Sequence, residues 1–193
     1  MIRFVPNALT IFRILLTPVF LILAMFVHTQ TALYWAWIIF VVAAITDWLD
    51  GLIARRHNII TNFGKIWDPL ADKIIVLAAL AALTWSAPFK LHWFIFAVIS
   101  IREIAVTIMR EIYIRRQIVV AADKWGKLKT VLQMVGIILC LGFWAIGYTP
   151  VHIILGSKVW FWIVALVTVL SGINYLYIDK NKAKPLTAKE GSL

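Results

Sequence analysis

The chain has 193 residues, 63% of them hydrophobic and 15% charged, with a formal net charge of +10 at pH 7. A mean hydropathy of +0.91 is too high for a soluble domain of this length, so the class is an integral membrane protein. The single Cys140 excludes an internal disulfide, His28, His57, His92 and His152 lack zinc-ligand spacing, and bases spread over loops between apolar runs argue against a nucleic-acid partner.

Six apolar stretches are long enough to cross a bilayer with about 20 helical residues each: 9–27, 32–54, 64–86, 92–113, 128–147 and 159–178. Pro6 and Asn7 precede the first and Pro18 interrupts it, which predicts a short interfacial amphipathic helix leading into the first span. This stretch has no small-residue cleavage site and further spans follow, so it reads as an anchor, not a removed signal peptide. The second and third stretches carry four of the nine acidic residues of the chain, and the fourth carries Arg102, Glu103 and Arg110. Cys140, inside the fifth, reads as packing. The expected architecture is all-α, with six transmembrane helices, a single membrane domain over 1–178 and a polar, loosely ordered cytoplasmic tail over 179–193.

Orientation follows from the bases. With the N-terminus inside, the inner loops hold Arg55, Arg56, Lys65, Arg115, Arg116, Lys124, Lys127 and Lys129, whereas the outer loops hold Lys90 and Lys158. The positive-inside rule then puts both termini in the cytoplasm. Trp35, Trp37, Trp85, Trp93, Trp144, Trp160 and Trp162 gather near the expected outer ends, as an interfacial belt does.

The chemistry is concentrated in Asp47-Trp-Leu-Asp50-Gly51-Leu-Ile-Ala54-Arg55 and Gly64-Lys-Ile-Trp-Asp68-Pro-Leu-Ala-Asp72. At 3.6 residues per turn Asp47, Asp50, Gly51 and Ala54 share one helix face, and Gly64, Asp68 and Asp72 share another. A short inner loop joins the two helices, so they are expected to be antiparallel neighbours with the two faces opposed. Four ionised carboxylates in one pocket repel one another. A hard divalent cation relieves that repulsion, and Mg²⁺ is typically held by carboxylates together with substrate phosphates. Helix packing at Gly and Ala, and neutralisation by Asp72–Lys73 or Asp50–Arg55 pairs, are the structural alternatives. A cation-coupled transporter would also use intramembrane acids, but these lie at one mouth and not at the midplane.

The spacing Asp-x2-Asp-Gly-x2-Ala-Arg-x8-Gly-x3-Asp-x3-Asp resembles the signature of the CDP-alcohol phosphatidyltransferase family, with every position filled. The resemblance implies transfer of a phosphatidyl group from CDP-diacylglycerol to an alcohol, with release of CMP and with Mg²⁺ or Mn²⁺, two ions, as cofactor. By the same resemblance Asp47, Asp50 and Asp68 hold metal. Asp72 is the general base and also reaches a second ion. Gly51, Ala54, Arg55, Thr61 and Gly64 contact the CDP-diacylglycerol headgroup, and Asn7 and Thr10 in Pro6-Asn7-Ala-Leu-Thr10 cradle the nucleotide. Homodimers are common in the family.

Arg110, Lys127 and Lys129 fall at the cytoplasmic level of the acids, where a basic pocket suits an acceptor that carries its own phosphate; routine inner-leaflet bases are the bland alternative. The strings Ile101-Arg-Glu-Ile-Ala-Val-Thr107 and Gly126-Lys-Leu-Lys-Thr130 resemble the branch whose acceptor is sn-glycerol 3-phosphate and whose product is phosphatidylglycerophosphate. Other acceptors (inositol phosphate or phosphatidylglycerol), a transporter and an inactive scaffold stay open at this stage. The expected location is the inner membrane, among its lipids, with the site facing the cytoplasm.

Overall fold

The apolar runs, broken by Gly, Pro and charge, fold into six long helices in a computed structural model: α1 (Val5–Leu21), α2 (Gln30–His57), α3 (Asn62–Trp85), α4 (Trp93–Arg115), α5 (Lys124–Ala145) and α6 (Val151–Lys182). The structure describes the backbone of residues 5–27, 29–57, 62–115, 118–119, 124–182 and 184–185. It describes the side chains of 10–27, 29–47, 71, 73–109, 111–113 and 125–173. Among the described residues the remaining regular structure is a π-helical turn, Ile22–Phe26, and a two-residue antiparallel bridge of β1 (Ile118–Val119) with β2 (Lys184–Pro185).

Three described segments are long and apolar enough to cross a membrane by length and composition: Gln30–Asp47, Trp125–Ala145 and Val151–Ile173. Thr10–Phe26 and Lys73–Trp85 are shorter apolar helices. The all-helical class is therefore as expected.

The first two helices each bury one stripe. On α1 and the π-helical turn that continues it, the stripe is Thr10, Arg13, Thr17, Phe20 and Ala24, with Ile11, Phe12, Leu15, Val19 and Ile22 turned outward. That 3-4-3-4 spacing is the seam of a helix packed against two neighbours. The backbone of α1 runs from Val5 to Leu21 with Pro18 inside it, so the lead-in segment and the start of the first apolar stretch belong to one helix. On α2 the stripe is Ala32, Ala36, Phe40 and Ala43, small residues that let helix backbones approach closely. α3 is buried on nearly every side from Ala78 to Thr84.

Packing closes these helices into a ring: α1 against α2, α2 against α5, α5 against α6, α6 against α4, α4 against α3 and α3 back to α1. Here the structure departs from expectation. Among the described residues α2 and α3 touch less than either touches α1, which lies between them. For this pair, chain neighbours are not the main spatial neighbours, because α1 supplies the seam that both pack on; the motif faces of Asp50 and Asp68 themselves lie outside the described side chains.

The helix ends away from the acidic motif are capped by local chemistry. Thr29 Oγ1 accepts from Ala32 N at 3.2 Å at the start of α2, and His92 Nδ1 accepts from Phe94 N at 3.2 Å at the start of α4. α5 ends in a Schellman motif: Tyr148 N donates to Phe143 O and Gly147 N to Trp144 O, with Gly147 at φ 71° where a side chain would be strained. Gln30 Nε2 donates to Trp144 O at 2.8 Å, so the first residue of α2 satisfies the last turn of the antiparallel α5.

Two tryptophans clamp the middle of α5. Trp160 Nε1 donates to Leu132 O at 3.0 Å and Trp37 Nε1 to Ile138 O at 3.2 Å. Four residues beyond each accepting carbonyl stands a glycine, Gly136 or Gly142, and a Cβ at either would meet the same indole. The missing side chain gives the indole its path to a carbonyl already bonded within the helix. α6 also runs further than its apolar stretch, to Lys182. The expected boundary between membrane domain and tail thus falls inside a helix, and β2 just beyond it pairs with the α4–α5 connection.

Candidate active site

Asp47, the first acid of the motif, sits on α2 with its side chain 42% exposed, and Arg13 on α1 faces it. Arg13 Nη1 donates to Asp47 Oδ1 at 2.8 Å from a side chain only 2% exposed. A guanidinium buried that far needs a carboxylate partner. The pairing leaves Asp47 Oδ2 for another ligand. A solvent-reachable carboxylate held from behind by a base is the kind of hard oxygen donor that Mg²⁺ or Mn²⁺ takes, so this residue fits a divalent cation.

The other motif residues keep their helix positions. Asp50, Gly51, Ala54 and Arg55 continue α2 beyond Asp47, and Gly64, Asp68 and Asp72 lie in the first half of α3. Their side chains, and those of Asn7 on α1 and Arg110 on α4, lie outside the described residues, as does Thr61 altogether. With Asp47 alone of the four acids in view, no group of three metal-binding side chains assembles among the described residues. Thr10 is buried on the α1 seam, one turn before Arg13.

A second constellation joins the opposite arc of the ring. Glu103 on α4, with a side chain 12% exposed, accepts from Lys129 Nζ on α5 and from Arg102 Nη1 at 3.3 Å, and lies 3.6 Å from Lys73 Nζ on α3. Lys73 Nζ also donates to the Glu103 carbonyl at 3.0 Å and to Thr107 Oγ1. Arg102 Nη2 reaches α6, donating to Ser171 Oγ at 2.8 Å. Gly126 and Gly172 flank that guanidinium arm and leave it room.

Adjacent residues on a helix point in different directions, yet Arg102 Nη1 and Glu103 Oε1 meet at 3.3 Å. Lys129, expected as an acceptor ligand, is buried in this ion cluster, while Lys127 two residues earlier is exposed.

Sequence reasoning missed Lys73, Thr107 and Ser171 as parts of a network. The available signal was the fall of Lys73, Glu103 and Lys129 on otherwise apolar helix faces. An apolar groove of about 200 Å³ between α5 and α6, lined by Gly136, Leu139, Phe143, Gly156 and Trp160 among others, lacks the charge a nucleotide or phosphate demands. It is not where this chemistry sits.

The profile of CDP-alcohol phosphatidyltransferases matches residues 3–171. A relative named "Probable phosphatidylglycerophosphate synthase", from Mycobacterium tuberculosis, is 38% identical over 175 residues, covering 88% of this chain and 78% of that protein. Two relatives named CDP-diacylglycerol--glycerol-3-phosphate 3-phosphatidyltransferase are each 35% identical. The one from Rickettsia felis covers 88% of this chain and 92% of its own length, and the one from Bacillus subtilis 91% and 94%. With a matched span of that extent and every position of the aspartate motif filled, the chain belongs to the CDP-alcohol phosphatidyltransferase family.

Proposed function

We propose that the protein transfers a phosphatidyl group from CDP-diacylglycerol to sn-glycerol 3-phosphate, giving phosphatidylglycerophosphate and CMP in phospholipid synthesis. The observation that carries this reading is the complete Asp47–Asp72 motif in a chain whose relatives, at 33–38% identity, bear names for that reaction.

In this reading Asp47, Asp50 and Asp68 hold Mg²⁺ or Mn²⁺, with Asp72 touching a second ion. Bound metal would neutralise charge on the diphosphate oxygens. Asn7, Thr10, Gly51, Ala54, Arg55, Thr61 and Gly64 seat the cytidine diphosphate headgroup, its acyl chains staying in the bilayer. Asp72 takes the proton from the acceptor hydroxyl as that oxygen bonds to the phosphatidyl phosphorus and the bond to the CMP oxygen breaks. Positioning supplies most of the remainder. Arg110 and Lys127 grip the acceptor phosphate, and Lys129, tied to Glu103, adds its charge from behind.

The six helices cross the inner membrane with both termini in the cytoplasm, the site opens to that side, and the protein works as a homodimer. In this reading the motif acids stand at one mouth of the helices, instead of the midplane, which disfavours a transport pathway.

The test is CMP release by purified protein from CDP-diacylglycerol with each of glycerol 3-phosphate, serine, inositol phosphate and phosphatidylglycerol. Release that needs glycerol 3-phosphate and stops with EDTA is expected. Release with another alcohol instead would discard the acceptor assignment and keep the reaction class. For the acceptor pocket, Lys127→Ala should raise the KM for glycerol 3-phosphate about tenfold, the loss of one charge-assisted phosphate contact.

A further inference from the structure

Glu103 sits where four helices meet. Its carboxylate and carbonyl engage Lys73 of α3 and Lys129 of α5, and its neighbour Arg102 holds Ser171 of α6. A buried ionic cluster of this kind adds little net stability over well-packed apolar residues, since desolvation offsets the attraction. What it does supply is geometry, because charge-assisted hydrogen bonds fix distance and direction. The helices it ties carry the two halves of the proposed chemistry: Lys73 follows Asp72 on α3, and Lys129 stands two residues after the exposed Lys127 on α5.

We propose that Glu103 is a positioning residue for the acceptor half of the site: without touching either substrate, it holds α5, with Lys127, at a set distance from α3, with Asp72. The inference rests on the acceptor-phosphate reading of Lys127. Groups assigned to CDP-diacylglycerol belong in sequence to α1, α2, the stretch between α2 and α3 and the start of α3, and none of them is a member of the tie. Loss of the Glu103 charge is therefore felt by one substrate and not the other.

The experiment is steady-state CMP release by the full-length protein, each substrate varied in turn, for the unaltered chain, Glu103→Gln and Ile99→Ala. Ile99 is a fully buried apolar residue of the same helix and serves as a control for general loosening, with melting temperatures measured beside the kinetics. Glu103→Gln should raise the KM for glycerol 3-phosphate about tenfold or more, and leave that for CDP-diacylglycerol within about twofold, a displacement effect confined to one substrate. Ile99→Ala, at a comparable loss of melting temperature, should leave both constants within about twofold.

Equal shifts for both substrates, an unchanged acceptor constant in Glu103→Gln, or an acceptor shift of the same size in Ile99→Ala would each overturn the proposal. If Glu103→Gln does not fold, Glu103→Asp keeps the charge and withdraws it by one methylene. A selective acceptor shift of about threefold there supports the tie, and no shift overturns it. Failure of the parent reading is seen separately, as an unaltered protein that releases no CMP with glycerol 3-phosphate.

Discussion

Arg13 is a buried base on a helix whose exposed positions include Ile, Phe, Leu and Val. Its ion pair with Asp47 makes it the support of a proposed metal ligand, not a ligand itself. Partners of this kind orient the carboxylate they hold, and their loss typically costs 10- to 100-fold in metal affinity or activity, on the order of the effect expected for Arg13→Met. The measurement is initial rate against Mg²⁺ concentration, which should shift to higher metal; an unchanged curve would separate Arg13 from the metal site. Asp72→Asn should keep CDP-diacylglycerol binding and lose turnover by roughly 10²- to 10⁴-fold, the usual contribution of a general base. Single-turnover CMP release beside a nucleotide-binding assay checks it, and substantial residual turnover would remove Asp72 from that role. The aspartate motif was legible because its meaning lies in local spacing. The partner of Arg13 was not, since 34 residues separate the pair and nothing in a single sequence says that α1 faces α2 there.

At the scale of the helix, α5 shows how small residues act as docking points. A Cβ at Gly136 would lie 2.6 Å from Trp160 Nε1, whereas one at Gly142 would lie 3.3 Å from Trp37 Nε1. The Trp160 indole cannot swing aside without giving up its bond to Leu132 O. Gly136→Ala should therefore destabilise by about 1–3 kcal/mol, the range for overpacking a closed site. At Gly142 a shift of a few tenths of an ångström suffices, and the gain in helix propensity of up to about 1 kcal/mol leaves Gly142→Ala near neutral. Thermal unfolding of both variants in detergent should rank them in that order. The helices themselves were legible from apolar length and from Pro and Gly at their borders. Their pairing was not: α1 inserts between α2 and α3, and α6 outruns its apolar stretch because a helix leaving the apolar zone can continue through polar residues.

Over the whole molecule aromatic rings recur at one end of the helices, with Trp85 closing α3, Trp93 opening α4, and Trp144 and Tyr148 at and just past the end of α5, whereas Asp47 and Lys127 stand toward the other. This is the arrangement the loop bases imply, and the proposed orientation puts the Asp47 end inside. On a Cys140→Ala background, Lys127→Cys should react with a membrane-impermeant thiol reagent only in inside-out vesicles, and Tyr148→Cys only from outside. The reverse pattern would invert the topology and with it the side on which the nucleotide is met.

The most direct test of the account is the identity of the lipid that purified protein makes from CDP-diacylglycerol, glycerol 3-phosphate and Mg²⁺, read by mass spectrometry with CMP measured in the same reaction. Phosphatidylglycerophosphate and CMP in equal amounts, both lost in Asp47→Asn, are the predicted result. Unchanged CDP-diacylglycerol, in protein that binds Mg²⁺, would contradict the account.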